Sequence, residues 1–138
     1  MKQLSIALFN QALASTAFWN AIGGRFYNRV APAGTVFPYA VFDPGPGDTD
    51  ESTWTEVIEN LEPTISLFSA TPEDTTEIED LFELLLPAFD GCTLTISGHT
   101  FLHMYRTGQT LFEDEIENPN GTGSVWHYAV MFNLKFER

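Results

Sequence analysis

From Val125 to Phe136 the side chains alternate without a break. Trp126, Tyr128, Val130, Phe132, Leu134 and Phe136 fall on one face, and Val125, His127, Ala129, Met131, Asn133 and Lys135 on the other. A period of two predicts a β-strand. The first set demands a core. The second is too polar for a core and too apolar for open water. Two helices in a chain of this size cover about one face of a sheet, so the second face calls for a neighbouring subunit. Val125, His127, Ala129 and Met131 are its candidate interface residues.

Upstream, residues 2–20 read as one amphipathic helix. Leu4, Leu8, Phe9, Ala12 and Trp19 share its apolar face, Ile6 and Leu13 lie at the margin, and Gly23-Gly24 ends it. RFYNRV and the turn-rich APAG lead to a short strand, FPYAVFD. The Pro, Gly and Asp content of DPGPGDTDEST predicts a loop. WTEVIENLEPTISLFSA carries one or two strands. Leu61, Ile65 and Leu67 share a face there, and Pro63, which cannot donate to a ladder, marks an edge or a bulge.

TPEDTTEIEDLFELLLPAFDG predicts a second helix. Thr71 is its expected N-cap, Pro72 its first residue, and Glu73 and Asp74 sit where the helix dipole favours acids. Ile78, Leu81, Phe82, Leu85 and Phe89 form its apolar stripe, Pro87 ends or kinks the last turn, and Gly91 stops it. Then CTLTIS predicts a strand, Ser97-Gly98 a hairpin turn, and HTFLHMYRT a returning strand with His99, Phe101, His103 and Tyr105 on one face. GQTLFEDEIENPNGTG reads as a long connection before the final strand. The expected fold is therefore α+β, in the order α-β-β-α-β-β-β. A mainly antiparallel sheet packs against two helices, within one domain spanning residues 1–138.

Charge changes this picture more than size does. The formal net charge is −13, from 19 acids against six bases. Seven acids lie between Asp43 and Glu62, seven between Glu73 and Asp90, and four between Glu113 and Glu117, with no base in any of these runs. Such a surface repels phosphate, which argues against sequence-reading DNA binding; solubility is the plain alternative reading. The single cysteine, Cys92, excludes an internal disulfide and any Cys-based zinc site, and a buried, inert thiol is expected. Gln3, Asn10 and Gln11 interrupt the apolar stretch at the N-terminus, so a helix is expected there rather than a signal peptide. No run of about 18 apolar residues exists, so no membrane span is expected.

Candidate chemistry is thin. His99, His103 and His127 could bind a metal beside Glu113 or Asp114. Residues four apart on a strand, however, stand about 13 Å apart and cannot share one ion unless the strand bends. The carboxylates Glu113, Asp114 and Glu115 sit in what reads as a solvated loop. No nucleophile elbow, P-loop or dinucleotide fingerprint is present. Neither a cofactor nor an enzymatic activity is expected; a small metal-assisted hydrolase using the three histidines is the alternative. Within the acidic connection, Leu111, Phe112 and Ile116 are apolar. That composition fits a segment docking on a partner, or residues packing on their own sheet.

Several strings together resemble a known family. RFYNRVAPAGTVFPYAVFD follows the first helix, a second helix ends in LLPAFDG, the hairpin TLTISGHTFLHMYR follows, and Trp126-His127 comes after an acidic, Asn/Gly-rich segment. In this order the chain resembles the tail-terminator (tail-completion, head-to-tail joining) proteins of long-tailed bacteriophages. The resemblance implies a structural virion protein, made in the host cytoplasm and built into the phage neck. It further implies a ring, typically a hexamer, that stops tail-tube polymerisation and offers a surface to the head connector. Tail-tube protein and connector would be its partners, and genome DNA would pass through without specific binding. Another neck or connector module of the same architecture is the nearest alternative. The resemblance carries no contact residues in the charged segments.

Overall fold

A computed structural model describes residues 2–51, 57–70, 74–118 and 121–138, with no account of the side chains of 48–51, 116–118 and 121–123. The helices are α1 (Lys2–Ala14), α2 (Thr16–Ala21) and α3 (Thr76–Phe89). The strands are β1 (Phe26–Asn28), β2 (Tyr39–Asp43), β3 (Gly47–Glu51), β4 (Val57–Leu61), β5 (Thr64–Ser69), β6 (Thr100–Asn118) and β7 (Gly121–Glu137).

The described strands form one seven-stranded sheet, antiparallel except where β1 pairs with β2. Prolines explain why two of its ribbons count as four strands. β4 and β5 both pair with β7 in a single register, from Ile58 opposite Glu137 to Ser69 opposite Trp126. Pro63 interrupts the ladder because it has no N–H, yet its carbonyl still accepts from Phe132 N at 2.9 Å. On the far side, β2 and β3 pair with β5 and β4, and the register slips by one residue at Pro44-Gly45-Pro46. That slip is a bulge. Gly45 is required there: its φ is +75°, and a Cβ would lie 2.0 Å from the Glu62 carbonyl oxygen. The sheet therefore consists of two long hairpins, 39–69 and 100–137, joined where β4 and β5 meet β7.

All three helices serve one face. Val130, Phe132, Leu134 and Phe136 of β7 are buried, as are Ile65 and Leu67 of β5. Against them α3 presents Ile78, Leu81, Leu85 and Phe89. Phe89 is the hinge point of the packing, with ring centroids 6.1 Å from Phe18 of α2, 6.1 Å from Phe26 of β1 and 6.3 Å from Phe132. At the start of α3, Glu77 accepts a 2.7 Å hydrogen bond from the buried Ser69 hydroxyl and ties the helix to the end of β5.

The fold class is as expected, but the order differs. The first helix is two, broken at Ser15, whose hydroxyl bonds the Gln11 carbonyl at 2.8 Å. A short strand, β1, lies in the RFYNRV stretch. Gly47–Glu51, expected as loop, is β3. The expected N-cap Thr71 and first helical residue Pro72 lie outside the described residues. α3 begins at Thr76, where Asp74 accepts from Thr76 N at 2.8 Å, and Pro87 sits inside the helix without ending it. CTLTIS is not a strand. Leu94 and Ile96 are buried by an extended segment that belongs to no ladder, and its alternation reflects packing alone. The turn at Ser97-Gly98 is present, closed by His99 N on the Ile96 carbonyl at 3.0 Å. Cys92 is half-buried, and burial pushes its thiol up to about 11, so it is protonated and inert at neutral pH.

Because Phe89 joins α2, β1 and β7, Phe89→Ala is expected to cost about 3–5 kcal/mol. Urea denaturation checks this: the midpoint should fall with an unchanged slope.

Candidate functional site

With the helices committed to the even-numbered residues of β7, the odd-numbered ones face the side of the sheet that no described helix covers. On that face a row of rings crosses four strands in register. Tyr39 of β2 stands opposite Phe68 of β5, Phe68 opposite His127 of β7, and His127 opposite Phe112 of β6. The centroid separations are 4.9, 4.3 and 4.3 Å, and Phe37 extends the row 5.1 Å beyond Tyr39. Stacking across neighbouring strands favours this register over its alternatives. A groove of about 530 Å³ runs between the Arg29–Ala31 overhang and Tyr39, Phe68 and His127.

The expected interface residues occupy this face unequally. His127 lies within the ring row, Ala129 is half-buried, and Met131 is exposed opposite Gly108, whose missing side chain leaves Met131 room. Val125 is already buried within the chain and offers little free surface. Further along, Asn133 donates to Asn60 at 2.8 Å and bonds His103 Nε2 at 2.9 Å, so the polar end of the face is internally satisfied.

The expected acidic connection is a strand, which corrects the loop reading. β6 pairs with β7 from Thr100 to Asn118. The pairing runs past the end of β5 at Ser69, so the last five pairs, Asp114–Val125 to Asn118–Gly121, stand out as a two-stranded arm. At the usual rise per residue the arm is about 16 Å long. Leu111 packs against its own core, Phe112 is exposed beside His127, and the Ile116 side chain lies outside the described residues. Glu113 and Glu115 are exposed at the arm's base.

Two bulges in β6, at Leu102 and Thr107, also rearrange the expected face of HTFLHMYRT. Phe101 stands opposite Phe136 on the helix side, whereas His103 and Tyr105 stand opposite Lys135 and Asn133 on the open side. The three histidines thus have separate surroundings: His99 against Phe136, His103 on Asn133, His127 between Phe68 and Phe112. Among the described residues, no group of three or more His, Cys, Asp or Glu is placed to hold a metal ion. No described helix is long and apolar enough to cross a membrane.

The family described as Tail completion protein gp17 matches residues 6–126, most of the chain. The protein belongs to this family. Membership makes it a structural tail-completion component of a bacteriophage-type virion, placed in the tail and neck. Among solved structures, a chain in the virion of a native gene transfer agent particle is 18% identical and has a TM-score of 0.75. The match covers 98% of this tail-completion chain and 95% of that one, which shows a shared fold. No curated protein sequence matches it.

Burial holds the His127 pKa below its ordinary value; Asp114, 3.6 Å away and too distant for a good hydrogen bond, opposes this without overcoming it. A depressed pKa contributes stability above the unfolded value of about 6.5, and that stability is lost as pH falls through the folded value. His127→Phe keeps the stack and removes the titration. Wild type should therefore lose stability relative to His127→Phe between about pH 7.5 and 5.5, measured as the difference in urea midpoint at each pH.

Proposed function

We propose that this tail-completion protein forms a closed ring, six subunits around, at the head-proximal end of the tail tube. There it ends tube polymerisation and presents the head-joining surface. The observation that carries this reading is the asymmetry of the sheet. One face is filled by helices, and the other bears a row of rings that ends in the exposed Phe112, with Met131 exposed beside it. The two sides of the sheet end differently, in β1 and β3 on one side and in β6 on the other. Surfaces that differ at the two ends associate head to tail, and head-to-tail association closes into a ring where the rotation per subunit allows it. The role is structural and non-enzymatic, in line with the family. An acidic lumen would repel the phosphate backbone and let genome DNA pass without sticking.

Met131→Asp tests the open face, because it places a charge on an exposed apolar position without touching the buried side of β7. Expected are an unchanged circular-dichroism spectrum, a smaller mass in sedimentation, and particles whose heads and tails fail to join. An unaltered assembly mass would remove the open face from the interface. Micrographs of particles lacking the protein distinguish the two neck readings. Overlong tails mark a terminator, whereas normal tails left unjoined mark a connector on the head side.

A further inference from the structure

α1 is apolar on two sides. Its buried side is Leu4, Ala7, Leu8 and Ala12. At about 100° per residue, Lys2, Ile6, Phe9 and Leu13 fall within roughly 60° of one another on the opposite side. Ile6 is 49%, Phe9 38% and Leu13 50% exposed. Phe9 packs edge-to-face on Trp19 at 5.4 Å and lies 6.4 Å from Phe26, so it is shared with the chain's own core, while Ile6 and Leu13 stay about half exposed and leave apolar surface for a second partner. Beside the outer stripe, an open groove of about 570 Å³ is lined by Lys2, Ile6, Phe9, Arg29 and Phe42.

Charge identifies the second partner. Residues 1–42 carry three of the six bases and none of the 19 acids. The opposite imbalance marks β6 and β7, where no base occurs between Arg106 and Lys135 and four acids cluster from Glu113 to Glu117. The two regions lie at opposite edges of the sheet, with α1 packed at the β1 edge and the arm on the β6 edge. The arm of one molecule therefore cannot reach its own α1.

We infer that the outer stripe of α1, with the groove at Lys2 and Arg29, is the docking site for the acidic β6–β7 arm of a second copy of this chain. Phe112 and the arm's base supply the apolar contact, and Glu113 and Glu115 meet the basic rim. This rests on the ring reading and adds a contact to those made by the open face. Arg29 already pairs with Asp43 at 3.6 Å, an exposed pair that a closer carboxylate can replace at small cost.

The test uses two variants of the full chain, one damaged on each surface. Lys2→Glu with Ile6→Glu spoils the α1 stripe; Glu113→Lys with Glu115→Lys spoils the arm. All four positions are exposed, so melting temperatures should stay near wild type. Leu13→Asp and Glu115→Arg are the substitutes if either variant unfolds. In sedimentation velocity, wild type should assemble more strongly at about 50 mM than at about 500 mM salt. Each variant alone should stay monomeric at ten times the wild-type assembly midpoint. Mixed in equal amounts, they should associate with one another from the dimer upward, because each keeps one competent surface and the reversed charges of the other two are complementary. Variants that assemble like wild type would overturn the inference and leave the ring reading standing. So would variants that self-assemble but fail to join heads, which would assign the stripe to another tail protein. Folded monomers that give no mixed dimer would overturn it as well. A wild type monomeric up to about millimolar concentration would overturn it too, and rings seen on tails by electron microscopy would then still support the ring.

Discussion

The structure depends on the register of β7. This strand pairs along one edge with β4 and β5 and along the other with β6, and it carries no bulge of its own. Every irregularity sits in another strand: the slip at Pro44-Gly45-Pro46 between β2 and β3, and the two bulges in β6. The side-chain period of a strand is two, so a one-residue slip of β7 would exchange its faces. Phe132, Leu134 and Phe136 would then meet water, while Asn133 and Lys135 would meet α3. Phe82 of α3, stacked on Tyr128 at 4.4 Å with planes 5° apart, locks the same register from the helix side.

This explains what could be read from the sequence. β7 was legible because both of its faces are unbroken from Val125 to Phe136, and β5 because Ile65 and Leu67 alternate beside Pro63. The apolar stripe of α3 was legible for the same reason at helical period. β6 was not, because each bulge adds a residue and reverses the face of everything after it. Phe101 and Tyr105, four apart, end on opposite faces, and no single-period pattern can reveal that. The acidic run from Glu113 to Glu117 concealed a strand because its pairing comes from β7 opposite, not from its own composition. CTLTIS misled in the reverse direction. Leu94 and Ile96 alternate as a strand's residues do, yet their burial needs no ladder. The row Tyr39, Phe68, His127, Phe112 was present in the sequence residue by residue, but only the register of four strands assembles it.

The two sides of the molecule face different physical problems. Under the helices, Phe18, Phe26, Phe42, Phe89 and Phe132 make a continuous aromatic core, with the Ser69–Glu77 hydrogen bond at its edge. On the open face the rings are only partly covered, and the polar groups Asn60, Asn133 and His103 bond one another. That pattern of apolar patch and self-satisfied polar border leaves few hydrogen bonds to break, so desolvation of this face would cost little if a neighbour covered it.

A free sheet edge templates further strands unless it is blunted. The two edges of this sheet are blunted differently. On one side the edge is split between β1, of three residues, and β3, whose five residues include Asp48, Asp50 and Glu51, so neither offers a long uncharged ladder. β6 is long, but its bulges at Leu102 and Thr107 break the spacing of its outward groups. Two β6 edges brought together would also place Glu113, Asp114 and Glu115 of one copy near those of the other. Like-with-like pairing at this edge is therefore disfavoured by both geometry and charge. A cationic, apolar surface suffers neither penalty, since it needs side chains rather than a regular ladder. The sequence from 1 to 42, with its bases and no acids, provides such a surface at the other end of the same sheet. Edges that reject their own kind but accept the opposite end would favour head-to-tail contacts over like-with-like pairing.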